Sequence, residues 1–232
     1  AFDRLGELKK IADTYNMAMP TTHIGIGYGN FFMPVGKVVR SIRKLHEEFG
    51  IRYFVVSGLF ADTKGTRKWA KVCRTVAEKI KNFGCTLVYH NHDVEFTAIE
   101  DEGRTVTAMD YFMELAGPEV MLQPDIGWIS NRCDEVEFVK KYADRIVSLH
   151  LKDMAQGSKS YTCRNTPPHM FAPVGDGCVQ IRAILALIDS MPKMQGRLVV
   201  DQDRSAGDIM ADMQHSYENI QKMLSEGCAY EK

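Results

Sequence analysis

The chain has 232 residues, is 45% hydrophobic and 25% charged, and carries a formal net charge of −1. The charge balance argues against a nucleic-acid footprint, and no apolar run approaches the roughly 20 residues needed to span a bilayer. The opening Ala1-Phe2-Asp3-Arg4 resembles neither a signal nor a transit peptide, and the six scattered cysteines, with no CxxC pair, read as mostly buried, reduced thiols of a cytoplasmic protein.

Apolar residues at helical spacing predict a helix over Leu5–Tyr15, followed by an extended stretch at 17–24 that ends at His23-Ile24. The glycine-rich Gly25-Ile26-Gly27-Tyr28-Gly29-Asn30 lacks the GxGxxG spacing of a dinucleotide fingerprint and reads as a flexible loop over a site. A helix over Val35–Phe49 should stop at Gly50, a strand should follow at 51–57, and a helix over Lys64–Phe83 should stop at Gly84. The strand Cys85–His90 leads through a polar turn at Glu100-Asp101-Glu102-Gly103 to a helix over Val106–Ala116. Strands at 120–124 and 145–151 flank a helix over Asp134–Ala143. The long stretch Met154–Gly177 reads as a lid, and a helix over Val179–Met191, a strand at 197–201 and a helix over Gly207–Leu224 close the chain.

Strands alternating with helices over short connections imply a parallel sheet covered by helices. Six strands are readable where a closed (β/α)₈ barrel has eight. The expectation is one α/β domain over residues 1–232, of TIM-barrel type, lacking a first βα portion.

In such a barrel the site is built from the carboxyl ends of the strands. Those ends carry His23, Ser57, His90 and His92 with Glu95, Asp125 with Trp128, His150 with Lys152 and Asp153, and Asp201 with Asp203. Residues two apart on a strand share a face, so His90 and His92 point the same way. Imidazoles mixed with carboxylates suit a divalent ion. Asp125, His150 and Asp201 are the expected ligands, with His92 as fourth. Each has a plain structural alternative: a helix cap for Asp125, a core histidine for His150, solvated charges for Asp201 and Asp203. Trp128 is either core or, at the rim, a platform for a sugar face.

Tyr89-His90-Asn91-His92-Asp93-Val94-Glu95-Phe96, Asp125-Ile126-Gly127-Trp128, Leu149-His150-Leu151-Lys152-Asp153, Val174-Gly175-Asp176-Gly177 and Val200-Asp201-Gln202-Asp203 together resemble the sugar phosphate isomerase/epimerase family of the xylose-isomerase-like TIM-barrel superfamily. The resemblance runs in order from about residue 5 to the end. It implies a divalent ion (manganese, zinc, cobalt or magnesium) at the barrel mouth, with Asp125 and His150 as ligands. The family usually has Glu where this chain has Asp201, and a further Glu on the strand that here ends in His90-Asn91-His92.

The chemistry expected is proton transfer next to the carbonyl of a sugar or polyol, by isomerisation, epimerisation or loss of water. Glu95, or Asp201 if it holds no metal, is the expected base, His90 or Lys152 would return the proton or steady the enediolate, and His23, Trp128 and Asp203 would hold substrate. Two rivals stand beside it: a metal-free sugar-binding subunit of the same fold, and phosphodiester hydrolysis as in endonuclease IV, which the charge balance disfavours. The expected partners are the small-molecule substrate and, because an open barrel exposes strand edges, a second copy of the chain; neither nucleic acid nor membrane is expected.

Overall fold

The computed structural model describes residues 3–28, 31–194 and 198–227; Ala1, Phe2, Gly29 and Asn30, named above, lie outside them, as do the first residue of the strand expected at 197–201 and one of the six cysteines, Cys228. Six short parallel strands carry the architecture: β1 (Thr21–His23), β2 (Tyr53–Val56), β3 (Thr86–Tyr89), β4 (Val120–Leu122), β5 (Leu149–Leu151) and β6 (Leu198–Val200). β1 to β4 form one sheet in chain order, β5 pairs with β6, and single parallel bridges, Leu122 to Ile146 and Asp125 to His150, join the two groups. The result is a curved arc; among the described residues no ladder links β6 back to β1.

Alternation along the strands separates two cores. Val55, Val88, Met121 and Val147 meet inside the arc. Phe54, Val56, Leu87, Tyr89 and Leu122 face outward into the larger core beneath the helices. Burial on both faces explains the nearly unbroken apolar runs.

The helices are α1 (Asp3–Thr14), α2 (Val35–Phe49), α3 (Thr63–Ile80), α4 (Ala108–Ala116), α5 (Ile126–Ser130), α6 (Glu135–Lys141), α7 (Ile181–Leu185) and α8 (Ile209–Ser225). α2 buries Val38, Ile42 and Leu45 and ends at Gly50 in the left-handed conformation. α3 starts where the Asp62 side chain accepts the Gly65 N–H, and it packs against α4 over Tyr89, Phe112 and Phe60. None of the described helices is long and apolar enough to cross a membrane.

The structure departs from expectation in several places. Part of the glycine-rich loop is a hairpin, Gly27–Tyr28 with Phe31–Phe32, and the Phe32 ring meets Trp69 edge-on at 5.0 Å. α4 starts at Ala108 because Arg104–Thr107 pairs with Ala98–Asp101 around Glu102 (φ 48°) and Gly103 (φ 80°), both in the left-handed region. α6 and α7 are shorter than predicted, each giving way to a 3₁₀ turn. α1 forms as its spacing predicts, yet Leu8 and Ile11 stay about half exposed. Of the described cysteines, all reduced, only Cys73 and Cys85 are buried.

The long segment after β5 is not a free lid. The buried Asp153 carboxylate accepts the backbone N–H groups of Gly175, Gly177, Val179 and its own neighbour Met154. A Cβ at Gly177 would overlap that carboxylate. Further along, Asp93 accepts the Cys163 N–H and pairs with Arg132 at 2.6 Å. Asp153→Ala would strand four donors, so a loss of roughly 3 kcal/mol is expected, read as a lower urea midpoint at unchanged slope. An unmoved midpoint would mean that water serves these groups equally well.

Candidate active site

Five of the six strands hand their polar ends to one cavity of about 570 Å³, lined by His23, Ser57, His90, His92, His150, Lys152, Asp201 and Asp203, with Trp128 from the segment after β4 and Cys163, Thr166 and Arg204 from the adjoining loops. Asp125, at the end of β4, is wholly buried and meets the site through Lys152. A larger groove of about 700 Å³ lies outside the barrel between α3 and α4. Its Arg67 and Arg104 are engaged with Asp101 and Glu114, and it holds none of the strand-end residues.

Lys152 sits at the centre of the mouth, 2% exposed. Its ammonium contacts Asp125 Oδ2 at 2.8 Å, Asp203 Oδ2 at 2.9 Å and Asp201 Oδ2 at 3.0 Å. It also lies 5.2 Å from the centre of the Trp128 ring. Burial favours the neutral amine, but the three aspartates outweigh it and hold the Lys152 pKa above its ordinary value. A Cβ at Gly127 would come within 2.8 Å of the lysine stem, so glycine there leaves room for the chain to pass. Burial likewise would raise the Asp201 pKa; the hydrogen bond to His150 and the Lys152 charge reverse this and hold it well below the carboxylate range.

Asp125 is both cap and site residue. Its Oδ1 accepts the Trp128 N–H at 3.1 Å and starts α5, while Oδ2 faces Lys152 and, at 3.8 Å, His90 Nε2. Asn91 Oδ1 accepts the Asp125 N–H and fixes the turn.

The imidazoles of His23, His90 and His150 cluster with ring centres 4.6–5.6 Å apart. His23 Nε2 meets Gln123 Oε1 at 3.2 Å, and the Gln123 amide donates to Ser148 Oγ at 2.8 Å. His150 Nδ1 meets Asp201 Oδ2 at 3.2 Å. Burial lowers the pKa of His23, His90 and His92, most strongly for His90, where the neighbouring imidazoles add to it.

Among the described residues, two sets of potential ligand atoms each lie within 4.8 Å of one another: Asp125, His150 and Asp201, and His23, His90 and His150. The donors fit a divalent ion: three formal carboxylates face one ammonium, and the buried Nδ1 of His90 has no hydrogen-bond partner among the described residues. His92 belongs to neither set, although its Nδ1 is also unpartnered beside the cavity.

Glu95, the expected base, is not at the cavity. The 3₁₀ turn Val94–Phe96 carries it behind β3, fully buried. There Oε1 lies 2.7 Å from the Tyr89 hydroxyl, and Oε2 accepts the His92 N–H at 3.1 Å. Burial pushes its pKa up to about 8. Trp128, considered for a sugar platform at the rim, is 1% exposed and instead forms a wall behind Lys152. Gln123, Asn91, Thr166 and Arg204 were not foreseen. Gln123 had a usable signal: it lies two residues before Asp125, the same spacing that links His90 to His92 and His150 to Lys152.

This (β/α)-barrel architecture with a strand-end site has a match among known families. The chain belongs to the family described as xylose isomerase-like TIM barrel, whose model covers residues 3–223. An inosose dehydratase from Geobacillus kaustophilus is 29% identical over 171 residues, 70% of this chain and 51% of that protein. The chain thus spans about half the length of this curated relative. A sugar phosphate isomerase/epimerase from Parabacteroides distasonis superposes with a TM-score of 0.73 at 17% identity, covering 97% of this chain and 77% of the other. A xylose isomerase-like TIM barrel protein from Mycobacterium smegmatis, in complex with magnesium, superposes with a TM-score of 0.67 at 14% identity, covering 99% and 80%.

Folding raises the Glu95 pKa from 4.5 to about 8, so the folded chain keeps a proton that the unfolded chain releases. The stability this gives is fully present below about pH 4.5 and is lost as pH rises through about 8. Parent and Glu95→Gln should therefore diverge in urea midpoint between about pH 5 and about pH 8.5, the parent alone losing stability. A gap that does not change with pH would show Glu95 ionised in the fold.

Proposed function

We propose that the chain is an enzyme acting on a sugar or polyol that carries a ketone, moving a proton on the carbon beside the carbonyl through an enediolate. The observation that carries this reading is the convergence of a buried ammonium, an imidazole cluster and three carboxylates on one cavity at the strand ends. The names of the relatives, an inosose dehydratase and a sugar phosphate isomerase/epimerase, agree with the substrate class.

A divalent ion would be held at the strand ends by His150 together with either the His23 and His90 imidazoles or the Asp125 and Asp201 carboxylates. It would act as a Lewis acid toward the carbonyl and adjacent hydroxyl, making the carbon-bound proton more acidic. Lys152, charged and fixed by its aspartates, places positive charge where negative charge develops on the substrate oxygen. Because it needs no reorientation to do so, its contribution is greater in the transition state than in the bound ground state. His92 takes over the role expected of Glu95: it faces the cavity with one ring nitrogen free to accept the proton. Asp203 and Arg204 at the mouth, with His23 opposite, orient substrate hydroxyls. Return of the proton gives isomerisation or epimerisation, and departure of a β-hydroxyl gives dehydration.

The test is proton exchange in deuterated water, followed by NMR, on a panel of keto-sugars and inososes with manganese, cobalt, zinc or magnesium supplied. Ion-dependent exchange is expected for at least one substrate, falling roughly 100-fold or more in His92→Ala and Lys152→Met. Exchange at the parent rate in both variants would remove them from the mechanism. No exchange with any compound would contradict the reading.

A further inference from the structure

The two ligand sets share His150 but differ in what already occupies them. On the carboxylate side, Lys152 fills the space: its ammonium lies 2.8 and 3.0 Å from Asp125 and Asp201, where an ion bound by those oxygens would have to compete with it. On the imidazole side, among the described residues, no ammonium stands between the rings: Lys152 is directed at the carboxylates, although its charge is close enough to help lower the His90 pKa. Three rings arranged about a tetrahedral ion at about 2.0–2.1 Å per nitrogen have centres roughly 5 Å apart. The rings here stand 5.3, 5.6 and 4.6 Å apart.

The hydrogen bonds point the same way. Ligand histidines characteristically donate their other N–H to a carbonyl or carboxylate, which fixes the tautomer and aims the free nitrogen at the ion. Gln123 donates its amide to Ser148, so its oxygen faces His23 Nε2 as acceptor and leaves Nδ1 as the free donor atom. Asp201 accepts from His150 Nδ1 and leaves Nε2 free. His90 Nδ1 is buried without a partner, an arrangement that costs stability unless something binds there.

We propose that His23, His90 and His150 form an all-imidazole site for a borderline transition ion such as zinc or cobalt(II), with Asp201 and Gln123 as supports and Lys152 retained beside it. The assignment rests on the reading of the strand ends as an ion site and narrows it to an ion class. Imidazole ligands select zinc, cobalt, nickel and copper over magnesium. The ion then stands on the His23 side of the cavity, and the lysine keeps its own position for the substrate oxygen.

X-ray absorption of the intact chain loaded with one equivalent of zinc tests this without any variant: the expected first shell contains three imidazoles. Titration with cobalt(II), followed by its visible spectrum, supplies the second readout. His23→Gln and His90→Gln should weaken binding beyond the roughly 10–100-fold that loss of an outer partner costs, and Gln123→Leu should fall within that range. Magnesium should not compete with cobalt. A shell with one imidazole and carboxylate oxygens, or binding that survives both histidine changes but not Asp125→Asn, would overturn the three-histidine site and leave the proposed function standing. Failure of the parent to bind any of these ions would overturn both.

Discussion

Taking an ammonium out of water costs several kcal/mol unless its partners compensate, and removing one member of such a group strands the others. Lys152, 2% exposed, faces aspartates from two different strands, and Asp125 among them is wholly buried. Between β4 and β5 the backbone pairing is reduced to two single bridges, Leu122 to Ile146 and Asp125 to His150, so within the arc it is thinnest where the charges meet. The lysine therefore does across this seam what a ladder does elsewhere. It ties the ends of β4, β5 and β6 into one rim.

From that tie the remaining arrangement follows. Asp125 can hold Lys152 because Asn91 and the first turn of α5 fix its backbone, and α5 in turn buries Trp128 behind the lysine stem. Asp201 serves Lys152 and His150 together, joining the charged half of the cavity to the imidazole half. The segment after β5 is pinned over the site by Asp153 and Asp93 rather than by apolar packing alone. The cavity is consequently preformed, with donors placed before a substrate arrives.

Much of this was legible in the sequence. The strand–helix alternation gave six strands within a few residues of their places, because strands buried on both faces must read as apolar runs ending in turns. The polar pairs at those ends pointed to His23, His90, His92, His150, Lys152, Asp201 and Asp203, which the fold brings to one cavity, but not to Gln123 or Arg204, and Glu95 is carried away from it. Glu95 follows His92 closely in sequence, but a 3₁₀ turn sends it to the opposite side of β3, where Tyr89 also points. Parity along the strand hints at this, since Tyr89 and His90 must face opposite ways. Trp128 was ambiguous until the short helix α5 fixed its direction. The hairpin at 98–107 depends on Glu102 in a left-handed conformation, which that residue type does not advertise. The tethers of the long segment join residues far apart in the chain, such as Asp93 with Cys163, and no local pattern encodes them.

In the proposed function the strand-end cavity binds a sugar-like ligand against Lys152 and a resident ion. A crystal structure of the zinc-loaded chain soaked with an unreactive polyol tests it most directly. An anomalous peak is expected among the strand-end ligands, with a polyol hydroxyl beside it and within hydrogen-bond reach of Lys152. A polyol seated in the outer groove between α3 and α4, or an ion bound anywhere other than the strand ends, would contradict it.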